Sequence, residues 1–375
     1  MRILHVISGL GIGGAERVLV QLVGLLKQRG IPQHVVSFTD QNAWRDELSK
    51  SGVTVETLAV SSITNALVGI HRLSKIIERE RPHIVQGWMP HGNLAAALAH
   101  RLARDYGARR LIWGLRASNV QSFKHLRMVW LTSRLSSWPD AIIAASEEAA
   151  DFHVQHGYRR ELITTVHNCV DTIRFRPNNA ARESIRRQLN IRDTDVVVIH
   201  VARVDPMKNH AMFIESVRRL PNVRGLLVGS GTESLPLPGN AIALGVRRDM
   251  EALFAASDIV VSTSSYAEGF GNVVAEGMSA GCIPIATDVG GFRSLIGDTG
   301  DVIQPGDTEG FVKVLAAVSE EIKQTGAVRR KAQARTRILN SFAIANMVDR
   351  YEAVYRQVTA QSHSQDGGHS EAAIT

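Results

Sequence analysis

Short, almost wholly apolar runs alternate with longer amphipathic stretches along most of this chain. The first run spans residues 2–8, with ILHVI at its centre. Gly9-Leu10-Gly11-Ile12-Gly13-Gly14 follows, and then an amphipathic stretch from 15 to about 29. Further apolar runs lie at 33–39, 53–58, 83–86, 109–113 and 141–144, with helical patterns between them. A run that is apolar at every position marks a strand covered on both faces. Strand–helix alternation of this kind marks a parallel, doubly wound sheet. The rhythm breaks at 166–179 and restarts at 195–201, continuing through 223–228, 258–261 and 282–286. Helical stretches at 308–320, 327–339 and 342–358 close the chain, and the polar tail from 361 is expected to be disordered. The pattern predicts an α/β chain of two Rossmann-like, doubly wound parallel-sheet domains. Their bounds are 1–172 and 173–341, followed by a helix at 342–360 and the tail at 361–375.

In such sheets ligands bind beyond the carboxyl ends of the strands, and the chain places its unusual residues there. Thr263 to Gly291 reads TSSYAEGFGNVVAEGMSAGCIPIATDVGG. Its Gly-rich turn runs into a helix expected to start near Asn272, with Asn272 as N-cap and Gly281 as stop. The first N–H groups of a helix lack partners and the helix dipole favours negative charge, so this turn reads as an anion site. Glu268 lies in the turn and Glu276 about one helical turn into the helix. Carboxylates accept hydrogen bonds, and two beside an anion site suit the hydroxyls of two sugars. A nucleotide sugar has that layout. Arg203 and Lys208 bracket the turn after the 195–201 strand, where two cations can neutralise a pyrophosphate.

The first half carries three loops at strand ends: the glycine loop, Trp88-Met89-Pro90-His91-Gly92-Asn93, and Gly114-Leu115-Arg116-Ala117-Ser118-Asn119. Arg116 has the charge and fork to hold a phosphate or an acceptor carboxylate. Gly9, Gly11 and Gly14 fit G-x-G-x-x-G, and Asp40 ends the next strand. That outline supplies a rival, an NAD-dependent oxidoreductase.

Composition narrows the setting. The 375 residues hold two cysteines far apart, Cys169 and Cys282, so no disulfide framework is implied and a reduced, cytoplasmic setting is expected. The opening apolar run is too short for a signal-peptide core, and no stretch is long enough to span a bilayer. The net charge of +7 favours acidic partners. With aromatics at 5% and no zinc spacing, nucleic acid is not expected among them. Lys124, Arg127 and Arg134 stand among Phe123, Leu126, Val129, Trp130 and Leu131, with Arg101, Arg104, Arg109 and Arg110 nearby. Such a basic amphipathic helix is expected to pack its apolar residues into its own domain. Peripheral contact with the inner face of a membrane is the alternative.

Glu268-x7-Glu276 within EGFGNVVAEGMSAGCIPIA, with Asp288-Val289-Gly290-Gly291 in register, resembles the signature of the family 4 (group 1) retaining glycosyltransferases. The resemblance extends to Gly13-Gly14-Ala15-Glu16-Arg17, to Arg203 and Lys208 in their turn, and to Leu244-Gly245-Val246-Arg247-Arg248-Asp249. It covers nearly the whole chain and is densest from 203 to 291. It departs at Cys169, where glycine is usual, at Asp205-Pro206-Met207-Lys208-Asn209, where Pro-Glu-Lys-Gly is common, and at Ser294, where glutamate is common.

The resemblance implies the GT-B fold, two Rossmann-like domains facing a cleft, with the final helix crossing back to the first. It implies a nucleoside-diphosphate sugar as donor, UDP first and GDP second. A glycan or lipid-linked acceptor in bacterial surface polysaccharide or lipopolysaccharide assembly follows from it. Gly13 and Gly14 would approach the donor phosphate and acceptor, and His91 the donor sugar near its reacting carbon. Arg203 and Lys208 would hold the pyrophosphate, Glu276 the ribose and Glu268 the donor sugar. Backbone N–H groups at Phe270, Gly271, Asn272 and Val273 would serve sugar and phosphate, and the backbone at Arg247 would meet the base. Asp249 is expected to cap the next helix. Leaving-group stabilisation replaces a metal, so neither metal nor other cofactor is expected. Front-face attack and a covalent intermediate both stay open. A nucleotide-sugar epimerase of the same fold, a glycosidase and a non-catalytic binder are further rivals, separated by acceptor dependence or lack of turnover.

Overall fold

The computed structural model describes residues 1–11, 13–104, 109–116, 123–266 and 268–366, and it divides into two compact units. Unit one comprises Met1–Asn168 and the chain from Ala345, and unit two is Cys169–Ile344.

Unit one runs β1 (Ile3–Ile7), α1 (Gly14–Gln28), β2 (Gln33–Ser37), α2 (Arg45–Lys50), β3 (Thr54–Thr57), α3 (Ile63–Glu80), β4 (Ile84–Trp88), α4 (Met89–Leu102), β5 (Arg110–Leu115), α5 (Phe123–Arg134), β6 (Ala141–Ala144), α6 (Glu147–Gln155) and β7 (Ile163–Thr165). Its seven strands are all parallel, in the order β3-β2-β1-β4-β5-β6-β7. Unit two runs α7 (Asn179–Gln188), β8 (Val196–Val201), α8 (His210–Arg218), β9 (Val223–Val228), β10 (Ala241–Ala243), α9 (Met250–Ala256), β11 (Ile259–Ser262), α10 (Asn272–Ser279), β12 (Ile283–Thr287), α11 (Phe292–Ile296), β13 (Asp301–Ile303), α12 (Thr308–Thr325) and α13 (Val328–Ser341). Its six parallel strands stand in the order β10-β9-β8-β11-β12-β13. A last helix, α14 (Ile344–Asp366), leads into unit one and continues past 360, where the tail was expected.

Alternate residues of one strand feed opposite faces of the sheet. In unit two Val197 and Ile199 of β8 join Val260 of β11, Phe254 and Phe292 in one core, while Val196 and Val198 join Phe213 and Phe311 in the other. Both faces are dry, which is why these strands read as unbroken apolar runs. Strand order reverses between β1 and β4 in unit one and between β8 and β11 in unit two. At such a switch point the two flanking connections leave on opposite sides of the sheet and open a crevice at the carboxyl ends.

The expected strands are all present, with ends displaced by a few residues. The edge strands β7, β10 and β13 were not expected. Each has three residues, too few to carry a periodicity. Among the described residues no helix is long and apolar enough to cross a membrane.

Candidate active site

Unit two brings Lys208 and Glu268 together at the switch point. Past the end of β8, Asp205 closes a tight 3-10 turn: Oδ1 accepts from Met207 N at 2.9 Å and Oδ2 from Arg203 at 3.0 Å. Arg203 extends into solvent, its side chain 67% exposed. Lys208 ends the turn, and its Nζ sits on Glu268 Oε1 from the neighbouring β11 connection. Ser264 Oγ donates to the same oxygen at 2.6 Å. The next residue, Asn209, has φ +47°, a left-handed conformation that asparagine tolerates better than most non-glycine residues.

Helix α10 starts at Asn272, but its N-cap is Gly271, which has no side chain to cap its first N–H groups. Asn272 therefore lies inside the helix rather than capping it. Gly271 takes the cap because the turn needs φ +85°, and a Cβ there would strike the Phe292 ring. Gly290, at φ +56°, presses against the carbonyl of Glu268, and Gly291 N donates to Gly269 O at 2.9 Å. The paired glycines thus buttress the Glu268 turn from behind. Phe270 is buried and packs on Phe342, 5.3 Å between ring centroids, so only its backbone is available to a ligand. Val273 packs against the same core, and Glu276 is buried one turn further along α10. Arg247 grips Asp249 with two bonds, 2.8 Å and 2.6 Å. Asp249 occupies the N-cap position of α9 but makes no cap bond, because the charged fork binds its carboxylate more strongly than a neutral N–H would.

In unit one the loops after β1 and β4 meet the same kind of switch point. Gly13 is the extended N-cap of α1 and Gly14 its first residue, one position before the expected start. The Glu16 carboxylate folds back over Gly13. A Cβ at Gly9 would lie 2.6 Å from Thr39 Oγ1, and one at Gly11 2.7 Å from Gln41 Oε1. Side chains of Thr39 and Gln41 thus stand directly beside these two glycines. His91 is exposed in the first turn of α4, two residues after Met89 at φ +63°. Asn93, at the end of that loop sequence, exchanges two 3.1 Å bonds with the Gly114 backbone and pins α4 to β5.

Arg116, expected to meet a phosphate or an acceptor, is engaged within unit one. Its guanidinium donates to Asn168 Oδ1 at 2.7 Å and to the Tyr351 hydroxyl, and stacks 4.6 Å from the Trp88 ring centroid. It clamps α14 to the sheet. Of the segment after it, 117–122 lies outside the described residues. The expected packing of α5 holds for Val129, which is buried, but Trp130 and Leu131 are 57% and 40% exposed. The side chains of Phe123 and Lys124 lie outside the described set.

Among the described residues the donor set for a metal occurs at His34, Glu56 and Glu80. Arg79 lies across both carboxylates there, so the negative charge a cation would need is already countered.

The family model for glycosyl transferases group 1 matches residues 181–335, and that for glycosyltransferase family 4 matches 12–174. The putative glycosyltransferase EpsD of Bacillus subtilis is 28% identical, the match covering 75% of this chain and 79% of EpsD. The lipopolysaccharide core biosynthesis glycosyltransferase LpsE of Rhizobium meliloti is 26% identical over 82% of this chain and 85% of its own. Among solved structures, Anabaena Alr3699/HepE in complex with UDP superposes with a TM-score of 0.83 at 23% identity, covering 95% of this chain and all of its own. The same protein with UDP-glucose superposes at 0.80 and 22% identity, over 97% of this chain and again all of its own. Two parallel-sheet units of the GT-B kind, each with its residues of interest at the switch point, agree with both family models, and the chain belongs to the group 1, family 4 glycosyltransferases.

Proposed function

We propose that this glycosyltransferase moves a hexose, with retention, from a UDP-sugar to a glycan or lipid-linked acceptor in surface polysaccharide assembly. One observation carries the donor reading: Lys208, Glu268 and the uncapped start of α10 converge at the β8/β11 switch point, with Arg203 on the same turn as Lys208. The UDP and UDP-glucose complexes of Alr3699/HepE and the lipopolysaccharide role in the name of LpsE support UDP and the pathway class.

The diphosphate binds between Arg203, Lys208 and the α10 N-terminus, where charge grows on the leaving nucleotide. It competes with Glu268 for Lys208, and the carboxylate so released turns to the sugar hydroxyls. Glu276 takes the ribose, and the backbone at Arg247 the base. In unit one, Gly13, Gly14 and His91 are the residues this reading assigns to sugar and acceptor. Cations and helix dipole meet the leaving-group charge without a metal. The oxidoreductase alternative is disfavoured by the match to both glycosyltransferase family models. Glu268→Gln is expected to cut turnover about 100-fold and bare UDP affinity no more than about threefold, because the residue acts on the sugar. Kinetics beside UDP titration checks this, and equal losses in both contradict the assignment.

Peripheral membrane contact belongs to the same reading. Residues 63–139 hold twelve Lys and Arg against three Asp and Glu, an excess of nine in a chain whose net charge is +7. The remainder is slightly acidic. Along α5, Arg127, Trp130, Leu131 and Arg134 form one exposed stripe. Leu67 on α3 and Leu102 on α4 are also exposed. An anionic bilayer takes both the cations and the apolar side chains. Arg127→Gln with Arg134→Gln should weaken binding to phosphatidylglycerol vesicles by roughly 30-fold, at ~1 kcal/mol per cation. Unchanged sedimentation with the vesicles removes this part of the reading.

A further inference from the structure

Thr263 is fully buried just past β11, and three polar groups converge on its hydroxyl. Oγ1 lies 2.9 Å from Lys208 O, 3.0 Å from Asn209 O and 3.1 Å from Nε2 of His200 on β8. Carbonyls only accept, so the hydroxyl hydrogen goes to Lys208 and Asn209. Oγ1 must then accept from His200 Nε2–H. That bonding assigns the neutral Nε2–H tautomer to His200. Two further facts agree. Nδ1 is buried with no hydrogen-bond partner, and burial, aided by His210 and Lys208, lowers the imidazole pKa to about 3. The ring is wedged between Phe213 and His210, at centroid distances of 5.1 Å and 4.7 Å.

The turn that Thr263 holds is the one that carries Lys208 and the left-handed Asn209. Asn209 keeps its left-handed φ while the Thr263 hydroxyl grips both carbonyls around it, and Ser265 N donates to Met207 O at 2.8 Å. Next along the chain, Ser264 donates to Glu268 Oε1, and Thr287 Oγ1 donates to Ser264 O at 2.6 Å, tying the segment to β12. Consecutive residues thus hold the backbone beneath Lys208 and the carboxylate in front of it.

We propose that Thr263, oriented by His200, is a positioning residue for sugar transfer that sets where Lys208 Nζ meets the leaving diphosphate. The proposal rests on the donor-site reading above. A misplacement of about 1 Å at such a group costs on the order of 100-fold in rate. Thr263→Val keeps the shape and removes the hydroxyl, so kcat should fall about 100-fold with donor KM changed by less than about threefold. Thr263→Ser should recover activity to within a few-fold. In a Lys208→Ala background, Thr263→Val should cost little more, since the residue acts through Lys208. Thr263→Ala carries the same comparison should the valine variant melt early. The measurement is a kinetic cycle on UDP-glucose and other UDP-sugars, with melting curves for each variant. Full kcat in Thr263→Val, or an undiminished loss in the Lys208→Ala background, overturns the proposal alone. Normal turnover by Lys208→Ala overturns the donor-site reading and this proposal with it.

Discussion

Lys208→Ala is expected to lower kcat by roughly 100- to 1000-fold, the ~2.7–4 kcal/mol that a lost transition-state donor costs. In the free protein Lys208 pairs with Glu268, both side chains at least four-fifths buried. A leaving nucleoside diphosphate gains negative charge as the glycosidic bond breaks, and a cation already in place stabilises that charge more than it stabilises the ground state. Removing the lysine leaves the Glu268 carboxylate, 15% exposed, without its cation, at a cost on the order of 1–3 kcal/mol, so the melting temperature should fall by several degrees. Arginine is a poor replacement, because its planar fork cannot occupy the point position of an ammonium in so tight a turn. Turnover within a few-fold of wild type, measured with a saturating UDP-sugar, contradicts this role for Lys208.

Asp258→Asn carries the largest stability effect. Asp258 is 1% exposed at the start of β11 and faces three cations: Arg186 at 2.7 Å, Arg182 at 2.9 Å and Lys331 at 3.0 Å. It also accepts from Val197 N at 3.0 Å. Burial pushes its pKa up, but the cations and the backbone N–H more than offset that and hold it below the usual carboxylate range. Asparagine leaves Arg186, itself 2% exposed, buried without a counter-charge. Removing one partner of a buried pair costs about 3–5 kcal/mol, which for a unit of this size is a fall in melting temperature on the order of 10 °C. A depressed folded-state pKa stabilises above the unfolded value of about 3.9. The contribution is lost as pH falls through the lower, folded value. The gap between wild type and Asp258→Asn should therefore close in strong acid and stay constant near neutrality. Calorimetry across that range checks both statements, and a shift of a degree or two at neutral pH contradicts the first.

The two sheets were legible because parallel strands buried on both faces leave unbroken apolar runs, as in β8 and β11. Edge strands such as β13 leave no such trace. Arg203, Lys208, Glu268 and Glu276 stood out as candidates by residue type and by their place after a strand, and the structure brings Lys208 and Glu268 together. What held them was not readable. The Thr263 hydroxyl reaches Lys208 O across 55 residues, and Arg116 meets Tyr351 across 235. A loop arginine at a sheet's ligand edge looks the same in sequence whether it faces a phosphate or a tyrosine. Asp249 marks the same limit: its position as a cap was readable, but its capture by Arg247 depends on a rotamer. A Thr-Ser pair directly after a strand at the switch point is the signal that could have singled out Thr263 and Ser264.

If unit two binds a nucleoside diphosphate at the β8/β11 switch point through Lys208, ligand binding should depend on that lysine. Melting of wild type and Lys208→Ala is measured with UDP, GDP, ADP, dTDP and NAD, without added metal. Ligand at 100 times its Kd stabilises by about 2.7 kcal/mol, an effect easily seen in melting. A clear shift with UDP in the wild type, lost or sharply reduced in Lys208→Ala, is the expected result. A shift with NAD alone, or a UDP shift of equal size in both proteins, contradicts it.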